Sequence, residues 1–147
     1  MIAVEVNGRA IPRFPRTQLA TFVRRAIRAV EKADAAPFQA TEISIALVDD
    51  AQMKALNRRF RGKNRTTDVL TFGADPADAD ESRPLGEIVI SLDQAGRQAR
   101  QENHSVATEV RYLLVHGILH AFGYDHENDQ GEMNALELGL REVVGLR

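Results

Sequence analysis

Apolar side chains recur along this chain with two rhythms, one near 3.6 residues and one of two, and the switches between them outline its elements. From about Arg16 to Lys32, Leu19, Phe22, Val23, Ala26, Ile27 and Val30 fall on one helical face, which predicts an amphipathic helix. EISIALV (42 to 48) alternates and is rich in β-branched residues, as a strand is. Asp49-Asp50 then offers an N-cap to a helix carrying Met53, Leu56 and Phe60. DVLTF (68 to 72) and LGEIVISL (85 to 92) read as two further strands, separated by an acidic loop containing Pro76 and Pro84. A weakly amphipathic helix is expected near 93 to 102. A stronger one starts near Ser105, buries Val106, Val110, Leu113 and Leu114, and stops with Gly123 as its C′ residue. The last helix opens on Asp129-Gln-Gly-Glu132, a capping-box-like signal, and shows Met133, Leu136, Leu140 and Val143 on one face. Residues 2 to 11 read as two short strands turned by Asn7-Gly8.

With 147 residues, no internal repeat and no linker, the expectation is a single domain over residues 1–147. There is no cysteine, so no disulfide forms, and a metal site has to be built from histidine and carboxylates. No apolar run approaches the roughly 20 residues of a bilayer span, and the N-terminus lacks the pattern of a secretory signal, which points to a cytoplasmic protein without a membrane partner. The net charge of −2 does not advertise a polyanion partner. It hides an uneven distribution, however: Arg58, Arg59, Arg61, Lys63 and Arg65 crowd into nine residues, while Asp75, Asp78, Asp80 and Glu81 gather in the acidic loop. A solvated helix end, where cations suit the macrodipole, explains the basic run without any ligand.

Three of the four histidines lie in HGILHAFGYDH. His116 and His120 are four residues apart, so on a helix their side chains are offset by only about 40° and about 6 Å and converge on one ion. Gly123 permits the chain to turn, and His126 follows. The spacing H-x-x-x-H-x-x-G-x-x-H is the zincin-like scaffold of metzincin proteases, with one departure: Gly117 stands where those proteases place their general-base glutamate. Three neutral imidazoles leave an open position on zinc, suited to lowering the pKa of a water and polarising a phosphoryl oxygen. A purely structural zinc would instead draw a fourth ligand from Asp125, Glu127, Asp129 or Glu132.

With this segment, LNRRFRGKNRTTDVLTF (56 to 72) and LGEIVI (85 to 90) in hand, the chain closely resembles the YbeY family of single-strand-specific endoribonucleases, also described as rRNA maturation factors. The resemblance runs from about residue 40 to the C-terminus. It places the family's zinc histidines on His116, His120 and His126, and its functionally important arginine on Arg61. Thr66, Thr71 and Gly73 stand where proline, serine and proline are common. The resemblance implies an α+β fold, a mixed sheet flanked by helices, one of which carries H-x-x-x-H, with the metal at the mouth of a cleft. It further implies one Zn2+ per chain, single-stranded RNA or rRNA as substrate, ribosomal particles as partners, and roles in rRNA 3′-end processing and ribosome quality control.

On this reading Arg61 and His116 act in catalysis, Arg61 clamping the scissile phosphate beside the metal. Arg58, Arg59, Lys63 and Arg65 are candidates for neighbouring phosphates. Asp125 is expected to orient a ligand histidine, Thr67 and Asp68 either to fix the loop under Arg61 or, equally well, to cap a turn, and His104 to be an exposed residue near a helix start. Two other functions fit parts of the pattern: a metallopeptidase on the same scaffold, and a non-catalytic ribosome-assembly factor with a structural zinc.

Overall fold

A computed structural model describes residues 2–33, 35–73, 82–125 and 130–146. Its centre is a mixed sheet of four strands, β1 (Ala3–Gly8), β3 (Glu42–Val48), β6 (Gly86–Ser91) and β4 (Val69–Gly73), in the order β1-β3-β6-β4. The first three run parallel, and β4 runs antiparallel to β6 at the edge. A short parallel pair, β2 (Gln39–Ala40) with β5 (Ser82–Arg83), stands apart from this sheet. It leaves no sequence signal because two residues carry no periodicity.

The period of two assigns the two faces of the sheet. Ile43, Ile45, Leu47, Ile88 and Ile90 point into the main core, while Val89 and Leu70 point the other way into a smaller cluster with Met53. The main core is closed by α1 (Arg16–Lys32), α4 (Val106–Ala121) and α5 (Glu132–Val143). The smaller cluster is covered by α2 (Asp50–Arg61). Between α4 and the ends of β3 and β6 sits α3 (Leu92–Gln101), N-capped by the Ser91 hydroxyl on Gln94 N–H. Among the described residues no helix is long and apolar enough to cross a membrane.

The helical face read between Arg16 and Lys32 is buried as expected, with Leu19, Val23, Ala26 and Ile27 inaccessible to solvent. Asp49 caps α2 through a reciprocal box with Gln52, and Ser105 caps α4 on Thr108 N–H. Gly123, at φ +103°, follows the end of α4.

Three expectations need correction. Residues 2 to 11 contain one strand, not a hairpin: β1 pairs with β3 up to Gly8 and Leu47, and Gly8 is needed because a Cβ there would meet the Leu47 carbonyl oxygen at 2.1 Å. The last helix takes Gly131, at φ +97°, as its N-cap with no side-chain bond, and Glu132 accepts instead from Gln130 N–H at 2.6 Å; Asp129 lies outside the described residues. Phe60 and Val143, read as inward-facing, are 54% and 60% exposed. The acidic stretch 74–81 lies outside the described residues, so Asp75, Asp78, Asp80 and Glu81 carry no structural reading.

Candidate active site

Helix α4 is a rigid base because its apolar side is wholly sequestered: Leu114, Val115, Ile118 and Leu119 have no exposed surface. Each such side chain contributes about 1.5–3 kcal/mol, so the helix cannot rotate without losing several of them. Gly117 seats it close to the sheet, since a Cβ at that position would meet Cδ1 and Cγ2 of Ile88 at 3.0 Å. Beyond its C-terminus, Tyr124 donates its hydroxyl to the Ala35 carbonyl at 2.6 Å, and Phe122 packs on Phe38 with centroids 5.2 Å apart. Those contacts tie the end of the helix to the α1–β2 connection.

His116 and His120 leave this helix on the same side, their rings 4.5 Å apart between centroids and their Nε2 atoms 3.0 Å apart. A tetrahedral ion with bonds of about 2.0 to 2.1 Å holds neighbouring nitrogens about 3.3 Å apart, so the two atoms, in hydrogen-bond contact at 3.0 Å, need separate only slightly to share one. Behind them, His116 Nδ1 lies 3.0 Å from Glu137 Oε1 on α5, and Glu137 Oε2 accepts from Arg141 at 3.3 Å. The Glu137 side chain is only 9% exposed. A carboxylate accepting from Nδ1–H fixes the tautomer that presents the Nε2 lone pair forward, which is what metal-ligating histidines use.

These imidazoles open onto a cleft of about 520 Å³ that is also lined by Arg61, Asp68 and Thr71, with Asp125 after the helix end. Arg61 is brought there by the last turn of α2. Gly62, left-handed at φ +68°, ends that helix, and Lys63 N–H bonds back to the Asn57 carbonyl at 3.3 Å. The buried Asn57 side chain donates to the Arg65 carbonyl at 2.9 Å and gathers the basic loop beneath the helix. Asp68 holds the next segment, accepting from Val69 N–H at 2.8 Å, the Thr67 hydroxyl at 3.4 Å and Gln98 Nε2 at 3.2 Å. A second knot lies at the start of α2. There Asp50 accepts from Thr66, Ser91 and Arg97 at 2.9 to 3.1 Å, and the Arg97 hydrogen bond holds its carboxyl below the usual aspartate range.

Of the residues singled out in the sequence, His116, His120, Arg61 and Asp125 share this cleft. Arg58, Arg59, Lys63 and Arg65 are exposed on the end of α2 and the loop after it. His126 and the alternative ligands Glu127 and Asp129 lie outside the described residues, and among the described residues no group of three His, Asp or Glu side chains forms a metal cluster. His104 is half-buried rather than exposed, 2.7 Å from Glu109 and stacked on Tyr112. Glu137 was missed, although a signal exists: it lies on the same helical face as Met133 and Leu140, and a carboxylate in a buried apolar stripe needs a partner.

A mixed sheet with two convergent imidazoles and a guanidinium lining one open cleft is an arrangement suited to a hydrolase acting on an anionic substrate. The profile of Endoribonuclease YbeY matches residues 6–143. An Endoribonuclease YbeY from Nautilia profundicola is 50% identical over 105 residues, covering 71% of this chain and 73% of the relative. Another, from Moorella thermoacetica, is 39% identical over 140 residues, covering 88% and 89%. A solution structure of a Thermotoga maritima protein superposes with a TM-score of 0.64 at 28% identity, over 98% of this chain and 89% of that one. The chain belongs to the YbeY family of endoribonucleases.

Proposed function

We propose that this chain, as a single domain, is a zinc-dependent, single-strand-specific endoribonuclease that acts on rRNA in cytoplasmic ribosomal particles, in 3′-end maturation and in quality control. The observation that carries the reading is the pair of Nε2 atoms 3.0 Å apart, backed by Glu137 and sharing one cleft with Arg61. The donor set fits the ion: two imidazoles set by helix spacing, a buried carboxylate behind one of them, and His126 soon after the turn at Gly123 as the third ligand. Bound there, zinc supplies Lewis-acid charge and a water of lowered pKa.

The rest of the chemistry belongs to the chain. Glu137 keeps the His116 ring from turning and its Nδ1 protonated. The Arg61 guanidinium binds the scissile phosphate and stabilises the charge that grows on its oxygens, through a forked, charge-assisted contact that lysine cannot reproduce. Asp125, at the same cleft, orients a ligand imidazole. A peptidase is disfavoured because Gly117 brings no carboxylate, and any side chain added there would have to displace Ile88.

Arg61→Ala is expected to keep its zinc by elemental analysis and to lose about 100-fold or more in cleavage of single-stranded RNA. Full activity in that variant would remove arginine from the mechanism.

A further inference from the structure

Phe60 is an aromatic side chain displayed rather than buried, with 54% of its surface exposed at the end of α2. It is nevertheless held. Its ring meets Phe72 of β4 edge-on, centroids 5.1 Å apart and planes at 70°, and Phe72 packs in turn on the small cluster of Met53, Leu70 and Val89. The Arg59 guanidinium stands 5.3 Å from the Phe60 centroid. Along the chain on either side of it, Arg58, Arg59, Arg61, Lys63 and Arg65 are all exposed. A lone exposed phenylalanine means little, but a ring fixed on one side, with one guanidinium beside it, in a run of five exposed cations and next in sequence to the arginine of the cleft, is the arrangement that binds single strands. Cations follow the phosphates, and an aromatic face takes a base.

We infer that Phe60 is a stacking platform for an unpaired nucleobase of the same RNA strand whose phosphate enters the cleft of Arg61, His116 and His120; this rests on the proposed ribonuclease reading. The topology supplies the path. Thr71 lines the cleft and Phe72 supports Phe60, and as neighbours in a strand they point to opposite faces of the sheet. Among the described residues β4 is the edge strand of this sheet, and an RNA strand can cross that edge with a phosphate on one side and a base on the other. A duplex cannot do so, because its bases stay paired and stacked. The platform thereby makes single-strandedness a condition of productive binding.

The chain contains no tryptophan, so Phe60→Trp places a sole indole at the platform. The probes are two short 2′-O-methyl RNA strands of equal charge, one with bases and one with abasic positions, each carrying a fluorescein whose anisotropy reports binding. Quenching of the indole by the base-bearing strand well beyond that by the abasic strand is expected. Equal quenching by both, or binding without quenching, would overturn the platform. In the zinc-loaded enzyme, Phe60→Leu should raise KM for single-stranded RNA by about 5- to 100-fold with bound metal unchanged, and Phe60→Tyr should restore it. An unchanged KM in Phe60→Leu would remove the platform alone, whereas a wild-type enzyme that cleaves no RNA would remove the function on which it rests.

Discussion

At the scale of single residues, Glu137 shows how a buried charge is justified by what it touches. A carboxylate that is 9% exposed is costly unless it is paired and hydrogen-bonded. Here His116 and Arg141 take its two oxygens, at 3.0 and 3.3 Å. Replacing it by an isosteric amide keeps the volume and removes the charge that orients the imidazole. Glu137→Gln is therefore expected to weaken zinc binding by about 10- to 100-fold, measured by competition with a chelator. Unchanged affinity would reduce Glu137 to a packing residue. The histidine spacing was legible from sequence because a helix alone fixes the relation of His116 to His120. The apolar stripe flags Glu137 as needing a partner but not which one, because His116 lies 21 residues away on another helix and no local pattern encodes that crossing.

At the scale of elements, the cleft depends on how α2 is anchored. Asp50, at its start, binds Thr66 on the loop to β4, Ser91 at the end of β6 and Arg97 on α3, and its own N–H donates to Asp93 at 2.9 Å. One carboxylate thus fixes the helix whose far end bears Arg61. Its pKa is lowered, chiefly by the Arg97 hydrogen bond. The unfolded chain therefore binds this proton more readily than the folded one, and the stabilisation is present above the ordinary aspartate value of 3.8 and lost as pH falls through the depressed one. Asp50→Asn should lower Tm at neutral pH, and its deficit against the wild type should shrink on acidification below that value. A pH-independent deficit would mean the charge of Asp50 is not what holds the knot. The boundaries of α1, β3 and α2 were readable because burial and capping are local in the chain. The α2 face was less so: periodicity placed Phe60 with Met53, but at the helix end the ring meets Phe72 of β4 edge-on and stays 54% exposed.

At the scale of the whole molecule, the elements of the mixed sheet could be read from alternation, while the hairpin expected at Asn7-Gly8 was wrong. The dipeptide suits a tight turn, yet the parallel partner for β1 comes from residues 42–48 beyond a helix, and such pairing leaves no mark in the local sequence. Gly8 serves close approach to β3 instead. The same long-range assembly brings α2 and α4, from opposite faces of the sheet, to a common cleft at its β4 edge. Arg61 and two histidines 55 and 59 residues further on come to line one cleft only through that sheet.

The most direct measurement pairs elemental analysis with single-stranded RNA cleavage, on wild-type protein and on His120→Ala purified in parallel. About one zinc per chain and chelator-sensitive cleavage are expected for the wild type, with both absent in the variant. A His120→Ala protein that is free of metal and still cleaves RNA at the wild-type rate would contradict the assignment of this cleft as a metal-dependent active site.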